Sequence, residues 1–568
     1  MNKAQKSVDW SFLALLAAAL LFRLFLLRFR FAIGWDEPHY LNLAANFANG
    51  DWHGWLHPFW SPLYPALSGL LGLLVPNLET AGRLVNLICG GLILWPVYRL
   101  GIDLFGRNSA WWAAAILAFY PPLAFGATSA LAEPSYMLFA TLGLWAGWEG
   151  LKRESAVRAL LAGLFWGLAY LTRPEGVGFL LVFVFFVTLL TAGQWFKSRR
   201  IRTLRLAVLA GAGWLLVALP YIFYLHGETG RWTLSAKGAA VQQLEAQYFA
   251  PGKLGTFDTL SEDNRVYPND QIYHDGDFVQ ATAKQGGLPI QNSLALLVRK
   301  YATHFHRLTR SELPAIFSLG LLVPFVLGLF GSPWQTERPR LSLYLLSYLG
   351  FFWFIVVPLF HINERYLIAL LPVAMIWAGH GLVLLQDWLA AGLRPSRAGG
   401  RLSEAGLQRC AWSGAAGFVL LFGFLTQLGS IVQRSTWDTD FWSEAVELKQ
   451  AGEWLRDQAG ATPVLMSYNK AVNFYAGNHN LRAGATFSQN EWPRLAQYAG
   501  YRGVTHVVWA ERYASHFPNL QQLNDPATAP PELQAIYDQS PAPGLRTIIY
   551  RFALAVARSP QAQPEVVP

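Results

Sequence analysis

Charged residues are scarce in this chain of 568 residues, because only 14% are Asp, Glu, Lys or Arg, against about 25% in soluble domains. Apolar and aromatic residues make up 53% of it and gather in runs such as Trp10–Leu27. A run of about 20 apolar residues crosses a bilayer core about 30 Å thick as a helix. The composition therefore excludes a soluble enzyme and predicts an α-helical polytopic membrane protein.

Cysteine is almost absent as well, with two residues in the whole chain. Cys89 lies inside an apolar run and Cys410 lies beside one, which excludes a disulfide framework and a cysteine-based metal site. The sequence also lacks a P-loop, a G-x-G-x-x-G turn and an H-E-x-x-H helix. These absences argue against nucleotide-driven chemistry.

Eleven apolar spans are predicted, each long enough to form a membrane helix. The first follows Lys3 and Lys6 and has no small-residue cleavage site, so it is predicted to be a retained helix rather than a signal peptide. The N-terminus is therefore expected in the cytoplasm, and the odd number of spans places the C-terminus outside. The predicted spans are 10–27, 81–98, 109–126, 131–149, 156–172, 175–194, 206–225, 314–331, 341–360, 366–386 and 411–432.

The basic residues follow this map. The loops assigned to the cytoplasm, with their flanking span ends, hold eighteen Lys and Arg residues, whereas the first outer loop, 31–80, holds none and the short outer connections hold only Arg173 and Arg365. This asymmetry is the positive-inside pattern. It explains the net charge of +9 without a nucleic-acid partner, and it predicts an integral protein of the cell membrane.

The long outer segments divide the chain, and two of them carry signs of secondary structure. A helix is expected over 294–308 and another over 444–458 with Ser443 as its cap, followed by β-type runs at 463–466, 505–509 and 547–552. The predicted units are an N-terminal transmembrane module, 1–225; a large extracytoplasmic loop, 226–313; C-terminal transmembrane helices, 314–434; a small extracytoplasmic α/β domain, 435–556; and a disordered tail, 557–568.

Acidic residues stand before proline at the outer ends of two spans. Asp36 and Glu37 precede Pro38 after the first span, and Glu133 precedes Pro134 at the start of the fourth. Neighbouring carboxylates repel each other, so at least one is expected to be paired, to bind a cation or to have a raised pKa, and such a group can serve as a base. The alternative is that each acid merely starts a helix.

Arg173 and Arg365 map to the same outer ends. Ionisable groups at membrane depth are costly and tend to mark function, so we expect these arginines to join the acids in one site. The alternative is that each is an interfacial anchor. Arg23, within the first span, is expected to extend to the lipid headgroups.

The carboxylates leave open whether the protein depends on a divalent cation. Asp36, Glu37 and Glu133 offer the oxygen ligands that Mg²⁺ or Mn²⁺ prefer, yet arginine alone can neutralise a phosphate. No cofactor is predicted with certainty, and a divalent cation stays an open alternative.

The order of several motifs resembles a known family. The Asp36-Glu37 pair is followed by Trp60–Pro65, Arg83-Leu84, Tyr98–Arg107 and Leu131–Pro134. This order resembles the N-terminal module of the GT-C glycosyltransferases that use polyprenyl-phosphate sugars, and especially bacterial members of the protein O-mannosyltransferase and aminoarabinose transferase superfamily. The similarity is continuous over about residues 30–190, and the later Asn363–Leu367 is similar to the Arg-Tyr motif that opens a late helix in that family.

The resemblance implies a GT-C-like fold with about eleven transmembrane helices, and it implies roles for individual residues. Asp36 corresponds to the catalytic carboxylate, with Glu37 beside it, and Glu133 to the acid of the second loop. The aminoarabinose transferases carry a lysine in the proline-rich segment that contacts the donor phosphate, whereas Ser61 stands here before Pro62. The donor phosphate is therefore expected to contact other groups, namely Arg365, Arg173, His57 or His39.

An active site outside the cytoplasm has no supply of nucleotide sugars, so a transferase there needs a donor carried by a membrane lipid. A hexosyl- or pentosyltransferase is therefore expected, which moves a sugar with inversion from a polyprenyl phosphate to an acceptor in a protein, a lipid or a glycan. Two alternatives remain. A lipid or sugar-lipid transporter or flippase predicts polar residues through the membrane midplane and repeat symmetry, and a non-catalytic envelope assembly protein predicts that Asp36 is dispensable.

The topology is tested by reporter fusions. We expect a reporter fused in the Arg199 loop and one fused at Thr462 to lie on opposite sides of the membrane, because an odd number of spans separates them. Paired alkaline phosphatase and fluorescent protein fusions measure this. Equal signals from both positions contradict the map.

Overall fold

The chain folds into a bundle of long apolar helices that carries a small α/β domain at one end. The structure is a computed structural model. The residues it describes are 9–34, 36–198, 203–237, 294–317, 319–334, 338–360, 364–392, 414, 444–458, 462–479, 484–487 and 491–553.

The bundle and the domain are described by the following elements. The bundle helices are α1 (Trp10–Leu27), α2 (Glu37–Ala48), α3 (Trp52–Trp55), α4 (Leu63–Gly72), α5 (Leu78–Leu92), α6 (Leu94–Phe105), α7 (Arg107–Phe119), α8 (Pro121–Gly126), α9 (Glu133–Arg153), α10 (Ala156–Thr172), α11 (Val177–Ser198), α12 (Leu204–Thr229), α13 (Leu294–Arg307), α14 (Leu313–Ile316), α15 (Leu319–Phe330), α16 (Arg338–Phe351), α17 (Val357–Phe360), α18 (Glu364–Ile368) and α19 (Leu371–Gly392). The domain elements are α20 (Val446–Gln458), β1 (Leu465–Ser467), α21 (Ala471–Tyr475), α22 (Trp492–Tyr501), β2 (His506–Ala510), β3 (Leu533–Gln539) and β4 (Thr547–Phe552).

The helices have the length and composition of an integral membrane protein. Ten of the eleven predicted spans overlap described helices, whereas the eleventh, 411–432, lies outside the described residues apart from residue 414, so the total number of spans stays a prediction. Most of the outer loop 226–313 and the tail 557–568 also lie outside them, but the predicted helix over 294–308 is confirmed as α13. Within the part of the chain that the structure describes, six segments are long and apolar enough to cross a membrane, namely Trp10–Leu27, Leu78–Phe105, Pro174–Ala192, Leu204–Thr229, Arg338–Leu359 and Leu371–Ala391.

Arg23 is buried inside the bundle, so the expectation that it extends to the headgroups is wrong. Its side chain is 1% exposed and donates to the carbonyl oxygens of Leu117 and Ala118, at 3.3 and 2.9 Å. In a continued helix those carbonyls would accept from residues 121 and 122, but both are prolines and have no N–H to donate. Arg23 therefore replaces the two hydrogen bonds that α7 loses at its end.

The two ends of the bundle differ in their charges. Asp9 pairs with Arg107 at 2.6 Å, and Asp103 pairs with Lys152 at 2.9 Å, so this end collects basic residues that the charge pattern assigns to the cytoplasm. The opposite end carries the α/β domain, and we call it the domain end.

The α/β domain is built on a four-stranded sheet of order β1-β2-β4-β3, in which β1 and β2 are parallel and the other pairs antiparallel. Helix α20 packs on one face of the sheet and α22 on the other. The three predicted β-type runs are confirmed as β1, β2 and β4, whereas β3 was not predicted. The helix expected from residue 444 begins at Val446, and its predicted cap Ser443 lies outside the described residues.

The domain holds the backbone that leads from α1 to Asp36. Glu444 accepts hydrogen bonds from the amides of Phe31 and Ala32, at 2.7 and 2.9 Å, and the hydroxyl of Tyr475 accepts one from the amide of Ile33 at 3.0 Å. Three successive N–H groups of the bundle are therefore satisfied by side chains of the domain, as buried backbone donors must be.

The carbonyl groups of the same segment are held from both sides. Lys449 of the domain donates to the carbonyl of Phe31 at 3.0 Å, and Arg83 of α5 donates to that of Ala32 at 2.8 Å. Glu79 joins the two sides, because it pairs with Arg83 at 2.8 Å and accepts from Lys449 and Tyr475. We call the contacts of these side chains with residues 30–33 the clamp.

The clamp predicts a local effect of Tyr475→Phe. The change leaves the Ile33 amide buried without an acceptor, which costs about 1–3 kcal/mol, so we expect exchange of the amides of residues 31–33 to accelerate by roughly tenfold or more. Hydrogen exchange followed by mass spectrometry measures it. Tyr537→Phe is the control, because Tyr537 packs on Trp454 within the domain. Unchanged exchange in Tyr475→Phe contradicts the role given to its hydroxyl.

Candidate active site

Asp36 lies at the start of α2, but its side chain does not cap that helix. It occupies the N-cap position with no side-chain hydrogen bond to the helix amides. Its Oδ2 atom instead accepts from Nη1 of Arg365 at 2.6 Å. The contact joins residues 329 positions apart, and it replaces the capping alternative with a long-range ion pair.

Glu133 is shared by two arginines. It is the first residue of α9, where Pro134 fixes the start of the helix. Its Oε1 atom accepts from Nε of Arg365 at 2.8 Å and from Nη1 of Arg173 at 2.6 Å. The second oxygen, Oε2, is buried and has no hydrogen-bond partner among the described residues. Glu133 therefore connects both arginines and keeps one carboxylate oxygen available.

Arg173 is a buried member of this cluster rather than an interfacial anchor. It follows α10 in an extended conformation before Pro174, and its side chain is 8% exposed. The guanidinium lies 4.6 Å from the ring centre of Tyr366 and reaches Glu175 at 3.5 Å. Burial of the charge is tolerated because it is paired and packed on a ring.

The structure thus brings together four residues that the sequence places at the outer ends of spans. Asp36, Glu133, Arg173 and Arg365 come from the ends of α2, α9, α10 and α18, and all lie at the domain end. We call these four residues the ion cluster.

The charge of Asp36 is set by Arg365. Burial raises the pKa of the Asp36 carboxyl group, but the facing guanidinium of Arg365 more than offsets burial, so the pKa lies below its ordinary value. Asp36 is therefore a carboxylate at neutral pH. It is also the more exposed of the two acids in the cluster, with 29% of its side chain accessible against 12% for Glu133. An incoming molecule reaches Asp36 first.

The carboxylate of Glu37 binds backbone amides rather than the arginines of the ion cluster, and its expected catalytic role stays a prediction. It is 6% exposed, and its two carboxylate oxygens accept from the backbone amides of Gly34 and Ala130. These amides belong to the loops before α2 and before α9. Glu37 therefore ties the loop of Asp36 to that of Glu133 and has a structural role.

His39 and His57 both contact the segment around Trp60. Burial lowers the pKa of His39 to about 4, so its ring is neutral at pH 7, and it stacks on Trp60 with ring centres 4.9 Å apart. Nδ1 of His57 accepts from the amides of Phe59 and Trp60, at 3.1 and 3.3 Å. Their expected role as phosphate ligands stays a prediction.

Two charged residues near the cluster were missed by the sequence reading. Glu175 pairs with Arg173. Its position directly after Arg173-Pro174 at the outer end of a span was a sequence signal for a charged partner of Arg173. Lys237 acts electrostatically on both Asp36 and Glu175. It lies within the long predicted outer loop, where no local pattern distinguishes it.

Whether the protein depends on a divalent cation stays open. Within the described ranges, no group of three or more Asp, Glu, His or Cys side chains is arranged to hold a metal. Asp36 and Glu133 each pair with arginine through one oxygen, and both oxygens of Glu37 accept from backbone amides.

Comparison with protein families gives one match within the bundle. A family model of dolichyl-phosphate-mannose-protein mannosyltransferases matches residues 57–224. The matched segment includes Glu133 and Arg173 and begins after Asp36. No curated protein matches the chain.

Solved structures match nearly the whole chain. The archaeal oligosaccharyltransferase AglB from Archaeoglobus fulgidus, in complex with an inhibitory peptide and a dolichol-phosphate, is 13% identical with a TM-score of 0.53, over 97% of this chain and 75% of that one. ArnT from Cupriavidus metallidurans, bound to undecaprenyl phosphate, is 14% identical with a TM-score of 0.52, over 96% and 98% of the two chains. The chain has the GT-C glycosyltransferase fold that the motif order predicted.

Proposed function

We propose that the protein transfers a glycosyl group from a polyprenyl-phosphate donor to an acceptor hydroxyl at the extracytoplasmic face of the membrane. The observation that carries the proposal is Asp36, an accessible carboxylate kept ionised by Arg365 at the domain end of a GT-C bundle. The match to the mannosyltransferase family model supports it. So do two structures of the same fold that contain lipid phosphates, dolichol-phosphate in one and undecaprenyl phosphate in the other.

The proposed reaction is a direct displacement at the anomeric carbon. The acceptor oxygen forms a bond to that carbon while the bond from the carbon to the phosphate oxygen breaks, and the electron pair of the broken bond stays on the phosphate. Asp36 takes the proton of the acceptor hydroxyl as it attacks. One displacement inverts the anomeric configuration. A phosphate is a good leaving group, so the second carboxyl group that protonates the leaving oxygen in glycoside hydrolysis is not required here.

Arg365 has two roles in this scheme. It keeps Asp36 ionised and oriented, and with 36% of its side chain accessible it presents donors to the departing phosphate. A guanidinium suits this task because its planar N–H groups match two phosphate oxygens. Glu133 pairs with Arg365, and Arg173 in turn pairs with Glu133. Phosphate charge that develops in the transition state then meets a preorganised cation.

The position of the charges also separates this proposal from a flippase. A transporter would place its binding site near the bilayer midplane, whereas the ion cluster lies at the helix ends beside the α/β domain. The sugar and the acceptor are not specified by the residues of the cluster. We include a hydroxyl of a protein, a lipid or a glycan as acceptor, and a bacterial inner membrane as the setting.

The role of Asp36 is tested by Asp36→Asn. The amide is similar in shape but cannot take the proton, so we expect transfer to slow by about 10²–10⁴ while donor binding stays near the wild-type value. Transfer from undecaprenyl-phosphate sugars to cell-envelope acceptors, followed by mass spectrometry, measures the rate. Asp51→Asn is the control, because Asp51 in the same loop only caps α3. Wild-type rates in Asp36→Asn contradict the base and favour a non-catalytic protein.

The role of Arg365 is tested by the pH dependence of transfer. In the wild-type protein Arg365 holds the pKa of Asp36 below its ordinary value, so the acid limb of the rate profile is expected to lie below the range of an ordinary aspartate. Arg365→Ala removes the largest effect that opposes burial, so the pKa of Asp36 rises and the acid limb moves to higher pH. Arg365→Lys keeps the charge and is expected to keep the limb low. An unshifted limb in Arg365→Ala contradicts the pairing.

A further inference from the structure

Lys237 lies on a short segment that is fixed to the bundle. Helix α12 ends at Thr229 and is followed by Gly230, whose φ of +68° favours glycine, and the chain then turns back toward the bundle. The hydroxyl of Tyr170 donates to the carbonyl of Leu234 at 2.8 Å, and Ala236 is 1% exposed. The position of Lys237 therefore follows from contacts made by the residues just before it.

Tyr170 belongs to a group of three tyrosines that also holds the segment facing Lys237. The hydroxyls of Tyr221 and Tyr224 donate to the carbonyls of His57 and Leu56, at 2.8 and 2.9 Å. The ring of Tyr221 lies 6.2 Å from that of Tyr170 and 5.8 Å from that of Tyr224. Three neighbouring tyrosines thus set the distance between the Lys237 segment and the turn that follows His57.

The ammonium group of Lys237 faces aromatic rings instead of a carboxylate. It lies 5.1 Å from the ring centre of Phe59 and 5.5 Å from that of Trp60. Among the described residues no carboxylate pairs with it, in contrast to Arg365 and Arg173. A cation over a ring face keeps its N–H donors available for another acceptor.

Lys237 balances the charge of the site. Asp36, Glu133 and Glu175 carry three negative charges, and the two arginines of the ion cluster supply only two positive ones. Without Lys237 the group would be net negative and would repel a phosphate. Lys237 acts electrostatically on two of these acids, so its charge is felt where Asp36 lies.

We propose that Lys237 binds the phosphate of the polyprenyl-phosphate donor, with the face of Phe59 and Trp60 holding the ammonium in place. The inference rests on the proposed function and adds a residue that pairs with the leaving group. An ammonium is a compact charge with three donors and a common phosphate ligand. It stabilises the phosphate as the bond to the sugar breaks, whereas Asp36 acts on the acceptor.

The experiment measures lipid binding by the purified full-length chain in nanodiscs of uncharged lipid. The probes are undecaprenyl phosphate and undecaprenol, which share the hydrocarbon chain and differ in the phosphate. We expect Lys237→Gln to weaken undecaprenyl phosphate binding by about tenfold to a hundredfold, the size of a lost charged hydrogen bond, and to leave undecaprenol binding unchanged. Lys237→Arg is expected to keep most of the affinity.

Arg231→Gln is the matched control, because Arg231 is an exposed cation six positions earlier on the same segment. Its affinity for undecaprenyl phosphate is expected to equal that of the wild-type protein, and a similar unfolding temperature for all variants shows that they fold. Wild-type affinity in Lys237→Gln overturns the inference and leaves the proposed function standing. Equal loss for both lipids also overturns it, since the lysine would then not recognise the phosphate. No binding of undecaprenyl phosphate by the wild-type chain overturns the inference and the proposed function together.

Discussion

The site depends on one interaction, the contact of Arg365 with both Asp36 and Glu133. Each acid lies at the start of a helix, and the arginine lies in the first turn of another, so a single guanidinium brings three helix ends together. Without it the two neighbouring carboxylates would repel each other. The same contact keeps Asp36 ionised, which is the state that a base needs. The charge of Arg365 therefore supports both the packing of the helix ends and the ionised state of Asp36.

The rest of the fold keeps that contact in place from several directions. Glu37 ties the loop before α2 to the loop before α9 through two backbone amides. The clamp fixes residues 30–33 between α5 and the α/β domain. The domain is therefore more than an appended unit, because it completes the hydrogen bonding of the segment that leads to Asp36. Arg23 closes the end of α7 in the same way, with side-chain donors where proline supplies none.

The sequence predicts much of this arrangement. Physical reasons explain why it does not predict the rest. Hydropathy and the scarcity of charged residues at the outer ends of the predicted spans assign four residues to the same membrane face, and the structure brings them together. These residues are Asp36, Glu133, Arg173 and Arg365. The roles of adjacent Asp36 and Glu37 were not separable, because one residue at a helix start turns a side chain by about 100°. The clamp joins residues about 410 positions apart, and Lys237 lies over rings whose placement depends on three distant tyrosines. No local pattern encodes such contacts.

The central claim is that the ion cluster is the place where a lipid phosphate and the base Asp36 meet. An experimental structure of the full chain with undecaprenyl phosphate tests it most directly. The account predicts the phosphate at the domain end, with an oxygen within about 3 Å of the Arg365 guanidinium and the Asp36 carboxylate facing the same space. A phosphate bound at the opposite end of the bundle, or at the domain end out of reach of Arg365, contradicts the account.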